Sequence, residues 1–470
     1  MPIPFRTRKN WRHRKKENEN TPYRLYSIHA TDKNIRTELI PLVGNCDNLN
    51  NNYFTLLIGN NGVGKSRLLY SIANHYYYTS NSDKIDNSDK IEFKDHGISP
   101  SFTIVVSNNL SDRFPYTTTA WSTISEDFIE ISHYLYLGIK NENGVLSRPD
   151  IMKRAVFLIL RYGISKEASE SMSRIFHLLS YKPRIVIQFN IKKSTYRLLR
   201  QDNDIHAIFP KIPESYEHTQ LLKIVYSLSL NNNEIVIDFS DKGFEVHLYN
   251  DNNHQEELKT EHFALFELLT LLNLENNLSN FSVKLEKTSG SAISLGLASS
   301  GESNLLLSLI SMVPLLRDNC LVLIDEPETS LHPSWQSKYI ELLNSLFHPY
   351  HGCHIIIASH SPFITSDMTP EKSTVTILSN KNGVINGRML NYSPYAWSTE
   401  NILLEVFKMP STRNYYFAMT LQRALELLSD PNHSRQEYQE LVNKISEVFP
   451  NLKDIDPLKK VAQIIVEHED

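Results

Sequence analysis

Five short apolar runs punctuate the chain: YFTLLIG (53–59), FTIVVS (102–107), CLVLIDEP (320–327), HIIIASH (354–360) and STVTILS (373–379). Most are apolar through their length rather than alternating, and each closes on glycine, an acid or small polar residues. That pattern predicts strands buried on both faces. YRLYSIHA, ELIPLV and RIVIQFNI are also strand-like. EIVIDFSDKGFEVHLY (234–249) reads as a hairpin turning at Asp241-Lys242-Gly243, and SVKLEKTSGSAISLGL as a second one turning near Ser289-Gly290. Helical spacing marks RLLYSIANHYYY, IMKRAVFLILRYG (151–163), EHFALFELLTLLNL (261–274), NLLLSLISMVPLL and SWQSKYIELLNSLF. From about residue 398 the chain reads as helical to its end, with TRNYYFAMTLQRALELL and SRQEYQELVNKISEVF as two amphipathic helices either side of DPNH. The tandem NSDKID/NSDKIE at 81–92 is polar and without period, which predicts a loop insertion. No heptad pattern is sustained, so a long coiled-coil arm is not expected. Strands alternating with helices give an α/β chain.

At 470 residues the chain can form two or three lobes. No apolar run approaches the ~18 residues of a bilayer span, and MPIPFRTRKNWRHRKK has no apolar signal core. Cys46, Cys320 and Cys353 are scattered, which suits a reducing compartment. These features predict a cytoplasmic protein without a membrane partner. A net charge of −5 argues against a surface that coats nucleic acid as a whole. The local exception is Arg6, Arg8, Lys9, Arg12, Arg14, Lys15 and Lys16, a run that can grip phosphates and equally reads as a solvated arm.

The chemistry concentrates at the ends of the apolar runs. Gly59-Asn60-Asn61-Gly62-Val63-Gly64-Lys65-Ser66, followed by Arg67, matches G-x-x-x-x-G-K-[ST] between a strand and a helix. Glycines let backbone N–H groups wrap a polyphosphate, Lys65 would reach the β- and γ-phosphates of ATP, and Ser66 would hold Mg2+. Asp325 closes a buried strand, where α/β sheets place ligand groups, and is a second candidate for Mg2+. Glu326 beside it could polarise an attacking water as general base. His360, after another buried strand, could sense a γ-phosphate. HPYHGCHIIIASH also gathers His348, His351, Cys353 and His354, but adjacent strand residues point to opposite faces, which argues against a metal site. Leu421, Leu425 and Leu428 form a stripe that reads as packing, with partner docking as the alternative.

Together with LASSGESNLL (297–306), these elements resemble the soluble, RecF- and SMC-like branch of the ATP-binding-cassette ATPases. In that family a signature of the LSGGQ type opens a helix before the Asp-Glu strand, and Ala298-Ser299-Ser300-Gly301-Glu302 is similar to it, with Ala, Ser and Glu at three positions. The resemblance implies that Ser299, Ser300, Gly301 and Glu302 face a nucleotide held by a second copy, in a homodimer or higher homo-oligomer. It also implies a glutamine-like role for Asn108 or Asn109 in SNNLSDRFP, and a place near the subunit boundary for Ser330 and His332 in ETSLHP.

VVSNNLSDRFP resembles an S-x-S-P-F-D-R-F-P segment, and PYAWSTENILLEVFKMPSTRN a W-x-x-E-x-I-L-x-x-V-F segment, of the Septu defence ATPases (PtuA), a group also found beside some retrons. The implied fold is an ABC-ATPase head, a mixed sheet with a P-loop core, carrying an inserted mixed α/β lobe and a helical C-terminal region. The expected division is a basic arm at 1–20, the first half of the head at 21–108, the lobe at 109–280, the second half of the head at 281–395 and a helical, partner-docking region at 396–470. The resemblance implies an ATPase that regulates a separate HNH nuclease (PtuB-like) acting on nucleic acid. The alternative is a RecF-like DNA-repair or DNA-clamping ATPase with no nuclease partner. No acidic D-x-D cluster follows His360, so no nuclease site is expected in the chain itself.

Overall fold

The apolar runs assemble into one seven-stranded sheet in the computed structural model, which describes residues 22–31, 35–44, 48–81, 90–95, 98–109, 111–116, 133–141, 144–201, 224, 227–249, 258–259, 262–274, 277–296, 300–407, 414–429, 434–452 and 457–467. The basic run at 6–16, Cys46, most of the tandem repeat and Leu297-Ala298-Ser299 lie outside those residues. The strand order is Val384–Met389, Ser373–Lys381, Tyr53–Ile58, His354–Ala358, Leu321–Asp325, Thr103–Ser107, Tyr134–Tyr136. All but the edge strand Val384–Met389 run parallel.

Every residue of Tyr53–Ile58, Leu321–Asp325 and His354–Ala358 is buried, as expected of parallel strands covered on both faces. Helix Lys65–Asn81 covers one face with Leu68, Leu69, Ile72, Ala73 and Tyr76, which join Leu57, Val105, Leu323 and Ile356 in one core. The register sets Asp325 opposite both Ser107 and Ala358, and Ala358 opposite Leu57. Four strands therefore end flush, and whatever follows them shares one edge.

The opposite end is anchored by Arg24, a guanidinium 1% exposed. Its Nη1 donates to the carbonyls of Gly352 (3.0 Å) and Cys353 (2.9 Å), and Nη2 to those of Leu49 (3.0 Å) and Asn51. His354 beside it is fully engaged. Its Nδ1 accepts from the Leu25 N–H at 3.2 Å, so Nε2 carries the proton and donates to Thr55 Oγ1 at 2.9 Å. Burial, helped by Arg24, holds this imidazole neutral. These contacts give His354 a packing role, and among the described residues no group of three or more His, Cys, Asp or Glu could hold a metal ion.

A second sheet is antiparallel, in the order Leu258–Lys259, Gly243–Tyr249, Asn233–Ser240, Tyr181–Ile191, Leu278–Lys287, Ala292–Ser294. Both expected hairpins are here. Ile185, Ile187, Phe189 and Ile191 alternate inward, and helix Lys166–Leu178 packs on that face, with Phe176 stacked on Phe239 at 5.6 Å. Helix Arg148–Tyr162 bridges outward to helices His262–Leu274 and Ser300–Met312. Strand Leu278–Lys287 runs through the division expected between 280 and 281.

Two local expectations change. The helix expected over 334–347 is broken into Pro333–Gln336 and Tyr339–Phe347. The Ser337 hydroxyl donates to the Ser334 carbonyl at 3.1 Å, competing with the helical ladder, and Gln336 turns back to the Leu331 carbonyl. The second copy of the tandem repeat is not all loop. Its Lys90-Ile91-Glu92 begins strand Lys90–Lys94, paired with Ser27–Thr31, because Ile91 and Phe93 find the core on alternate positions.

The chain forms two compact units, 1–396 and 397–470. In the second, helices Tyr415–Ser429, Arg435–Val448 and Pro457–Glu467 surround Leu421, Ala424, Leu427, Val442, Ile445 and Ile465. The last helix adds to the two expected. The leucine stripe is divided: Leu421 is core, while Leu425 and Leu428 are 42% and 36% exposed. No helix among the described residues is long and apolar enough to cross a membrane.

Candidate nucleotide site

Gly59 to Ser66 leaves strand Tyr53–Ile58 and enters helix Lys65–Asn81 at the edge where the parallel strands end. Gly64 takes φ 109°, a backbone conformation that favours glycine, and a Cβ there would also press on the end of the Ile385 side chain, 2.3 Å from Cδ1. Asn60, Asn61, Gly62 and Arg67 are exposed, whereas Val63 and Gly64 are buried. The N-terminus of a helix directs backbone N–H groups outward, an arrangement that suits an anion.

Lys65 is 4% exposed. Its Nζ donates to the Gly59 carbonyl at 2.9 Å and lies 2.6 Å from Nε2 of His360. Burial lowers the lysine to about 8, with Glu326, Glu328 and Asp325 pulling the other way. Burial and the adjacent Lys65 lower His360 to about 4, so its ring is neutral at pH 7 and accepts from the ammonium.

The Ser66 hydroxyl donates to Asp325 Oδ1 at 2.8 Å, joining the phosphate loop to the acid strand. Asp325 Oδ2 is buried without a partner. A serine hydroxyl and a carboxylate with an unmet oxygen are hard donors and fit Mg2+. Burial raises Asp325 to about 7, with Glu326, Asp112 and Glu328 adding to it against the Ser66 bond. Its usual value is 3.8, so the folded chain holds this proton more tightly than the unfolded one, and stability falls as pH rises from about 4 to about 7. Above that range the cost is about 4 kcal/mol. Asp325→Asn should therefore melt above the wild-type chain at pH 8 without nucleotide, and the gap should narrow toward pH 5. A gap independent of pH in thermal denaturation would contradict this.

Glu326 has φ 47°, rare for a residue with a side chain. Its N–H donates to the Ala358 carbonyl at 2.9 Å, which fixes the turn. Asn109 Nδ2 donates to Glu326 Oε2 at 3.3 Å, and Oδ1 of the same amide accepts from the Ser111 N–H at 2.8 Å, which sets its orientation. Of the two asparagines expected here, Asn109 reaches the acid; Asn108 is half-buried just after Thr103–Ser107. His360 Nε2 lies 3.9 Å from Glu326 Oε1.

Glu328 is a further site residue that the Asp-Glu pattern does not mark. Its Oε1 accepts from the His360 backbone N–H, while Oε2 is buried without a partner. Burial raises this carboxyl, against the His360 bond. The only sequence signal was a third acid directly after Pro327.

The structure thus brings Lys65, Ser66, Asn109, Asp325, Glu326 and His360 together. Gly301 and Glu302 open helix Ser300–Met312 elsewhere, against the turn at Ser330 and Leu331. Ser299 is outside the described residues, and Ser300 is placed by its backbone as the first helical residue. Ser330, with φ 66°, and His332 are exposed.

Residues 177–367 match a family model described as "AAA domain, putative AbiEii toxin, Type IV TA system". The match takes in helix Ser300–Met312, the Asp325–Glu326 strand end and His360, and begins after the phosphate loop. The "Retron Vc95 probable ATPase" of Vibrio cholerae serotype O1 biovar El Tor is 24% identical over 366 residues, which cover 68% of this chain and 68% of the relative. Among solved structures, Stu0660 of Streptococcus thermophilus is 13% identical, with 94% of this chain and 92% of the other covered and a TM-score of 0.31. An SmcHead bound to the C-winged helix domain of ScpA is 9% identical, with 78% and 97% covered and a TM-score of 0.27.

Proposed function

We propose that the chain binds and hydrolyses ATP as a regulatory subunit of an antiphage defence complex. It closes in pairs around composite nucleotide sites and controls a separate HNH nuclease acting on nucleic acid. One observation carries the catalytic half: the phosphate-loop Lys65 and Ser66 meet Asp325, Glu326 and His360 at a single sheet edge. The relative named as a retron ATPase and the toxin–antitoxin description of the matched domain support the defence half.

Each residue has a role suited to its position. Loop N–H groups and the Lys65 ammonium take the phosphates, whose oxygens replace the Gly59 carbonyl and the His360 ring as acceptors. Ser66 and Asp325 would hold Mg2+, which would neutralise phosphate charge when bound. Glu326, aimed by its strained backbone and by Asn109, takes the proton of the attacking water. His360 meets the terminal phosphate, with Glu328 fixing its backbone. Ser299, Ser300, Gly301 and Glu302 of a second copy complete the site, so that ATP binding and assembly are linked.

The test is the size of the purified protein by light scattering with and without ATP, for the wild type and Ser299→Arg. The wild type should enlarge with ATP and Ser299→Arg should not, while binding nucleotide as a monomer. A Ser299→Arg chain that assembles and turns over as the wild type does would refute the composite site. A chain purified from its native host without a nuclease, yet gripping duplex DNA only with ATP, would favour a DNA-clamping ATPase.

A further inference from the structure

The first turn of helix Ser300–Met312 is held from three sides. Gly301 backs onto the Ser330 carbonyl so closely that a Cβ would lie 2.0 Å from its oxygen. The Ser303 hydroxyl donates to the Leu295 carbonyl at 2.9 Å. From the third side, the Tyr181 phenol donates to Glu302 Oε1. Glu302 occupies the signature position where the resembled family carries glutamine.

Tyr181 is no surface residue that happens to reach across. It is 1% exposed and is the first residue of Tyr181–Ile191, an inner strand of the antiparallel sheet. It pairs in register with Lys287, whose ammonium lies 6.0 Å from its ring centroid. Burial, and the bond to Glu302, push the phenol up, so it stays a donor at any working pH. A carboxylate accepts such a bond more strongly than an amide oxygen, which gives the glutamate at this position a physical reason.

We infer that Tyr181 is a positioning residue for the composite site, fixing Glu302 and the first turn of the signature helix in the orientation that meets a second copy's nucleotide. The inference rests on the paired reading above. It makes the antiparallel sheet the frame of the trans half of the site, as the parallel sheet is of the cis half.

Tyr181→Phe keeps the ring and loses the donor. Its kcat should fall about tenfold, with KM for ATP little changed, and its turnover should need a higher protein concentration to reach its plateau. Nucleotide affinity of the dilute monomer should not move, whereas general loosening would move it. Glu302→Ala reports the same contact from the other side, and the double variant should be no slower than Glu302→Ala alone. Wild-type turnover by Tyr181→Phe at every protein concentration overturns the inference, as do additive losses in the double variant. Sizing of the wild type with and without ATP separates the two levels. If the wild type enlarges with ATP and Tyr181→Phe turns over normally, pairing stands and the role of Tyr181 falls. If the wild type stays a monomer in ATP, pairing itself is wrong.

Discussion

Lys65→Ala should bind ATP about a hundredfold more weakly than the wild type, ~2.7 kcal/mol, from the loss of a charged donor to phosphate. The physical case is the burial of this ammonium. It is 4% exposed and held in place by the Gly59 carbonyl and His360. Its depressed value of about 8 still leaves it mostly charged at pH 7. The sign of the pH effect follows: wild-type affinity should decline as pH rises through about 8, and Lys65→Ala should show no such decline. Titration with a fluorescent ATP analogue at pH 7 and pH 9 measures both. Affinity within threefold of the wild type would remove Lys65 from the site, provided the variant melts no lower than the wild type.

Glu326→Gln should separate binding from chemistry. The amide preserves shape and one acceptor oxygen but cannot take a proton, and loss of a general base lowers turnover about 10²- to 10⁴-fold. A backbone φ of 47° and two contacts, the N–H bond to Ala358 and the Asn109 amide, fix where this side chain points. A backbone held in that region costs about 1 kcal/mol or more and persists where its surroundings enforce it. ATP affinity should stay within a few-fold of wild type, and the ATP-bound assembly should accumulate because its exit step is blocked. Single-turnover hydrolysis beside sizing in ATP tests both halves, and ordinary turnover would end the general-base assignment.

How much of this was legible in the sequence depends on distance along the chain. Tyr53–Ile58, Leu321–Asp325 and His354–Ala358 could be read directly, because strands buried on two faces leave continuous apolar runs. Both hairpins announced themselves through turn residues. The phosphate loop, Asp325, Glu326 and His360 follow strand ends, so their meeting required only that the strands be parallel and flush. The break at Ser337 was hidden because the apolar spacing continues across it, and the cause is a hydroxyl choosing a backbone partner. Glu328 was hidden because its bond to His360 depends on which strands are neighbours. Tyr181 and Glu302 lie 121 positions apart on different architectural layers, and no local pattern couples them.

The strand order also dictates when the head can form. Tyr53–Ile58 lies between His354–Ala358 and Ser373–Lys381, so both of its partners are encoded some three hundred residues later. At a synthesis rate of about 5–20 residues per second, the wait is roughly 15–60 s. Arg24 waits as long for the carbonyls of Gly352 and Cys353. During that interval an apolar strand with both edges open is exposed to every other chain nearby, the situation in which strands aggregate. This inner strand of the parallel sheet is thus vulnerable at birth, and its phosphate loop is seated only after residue 381 has left the ribosome.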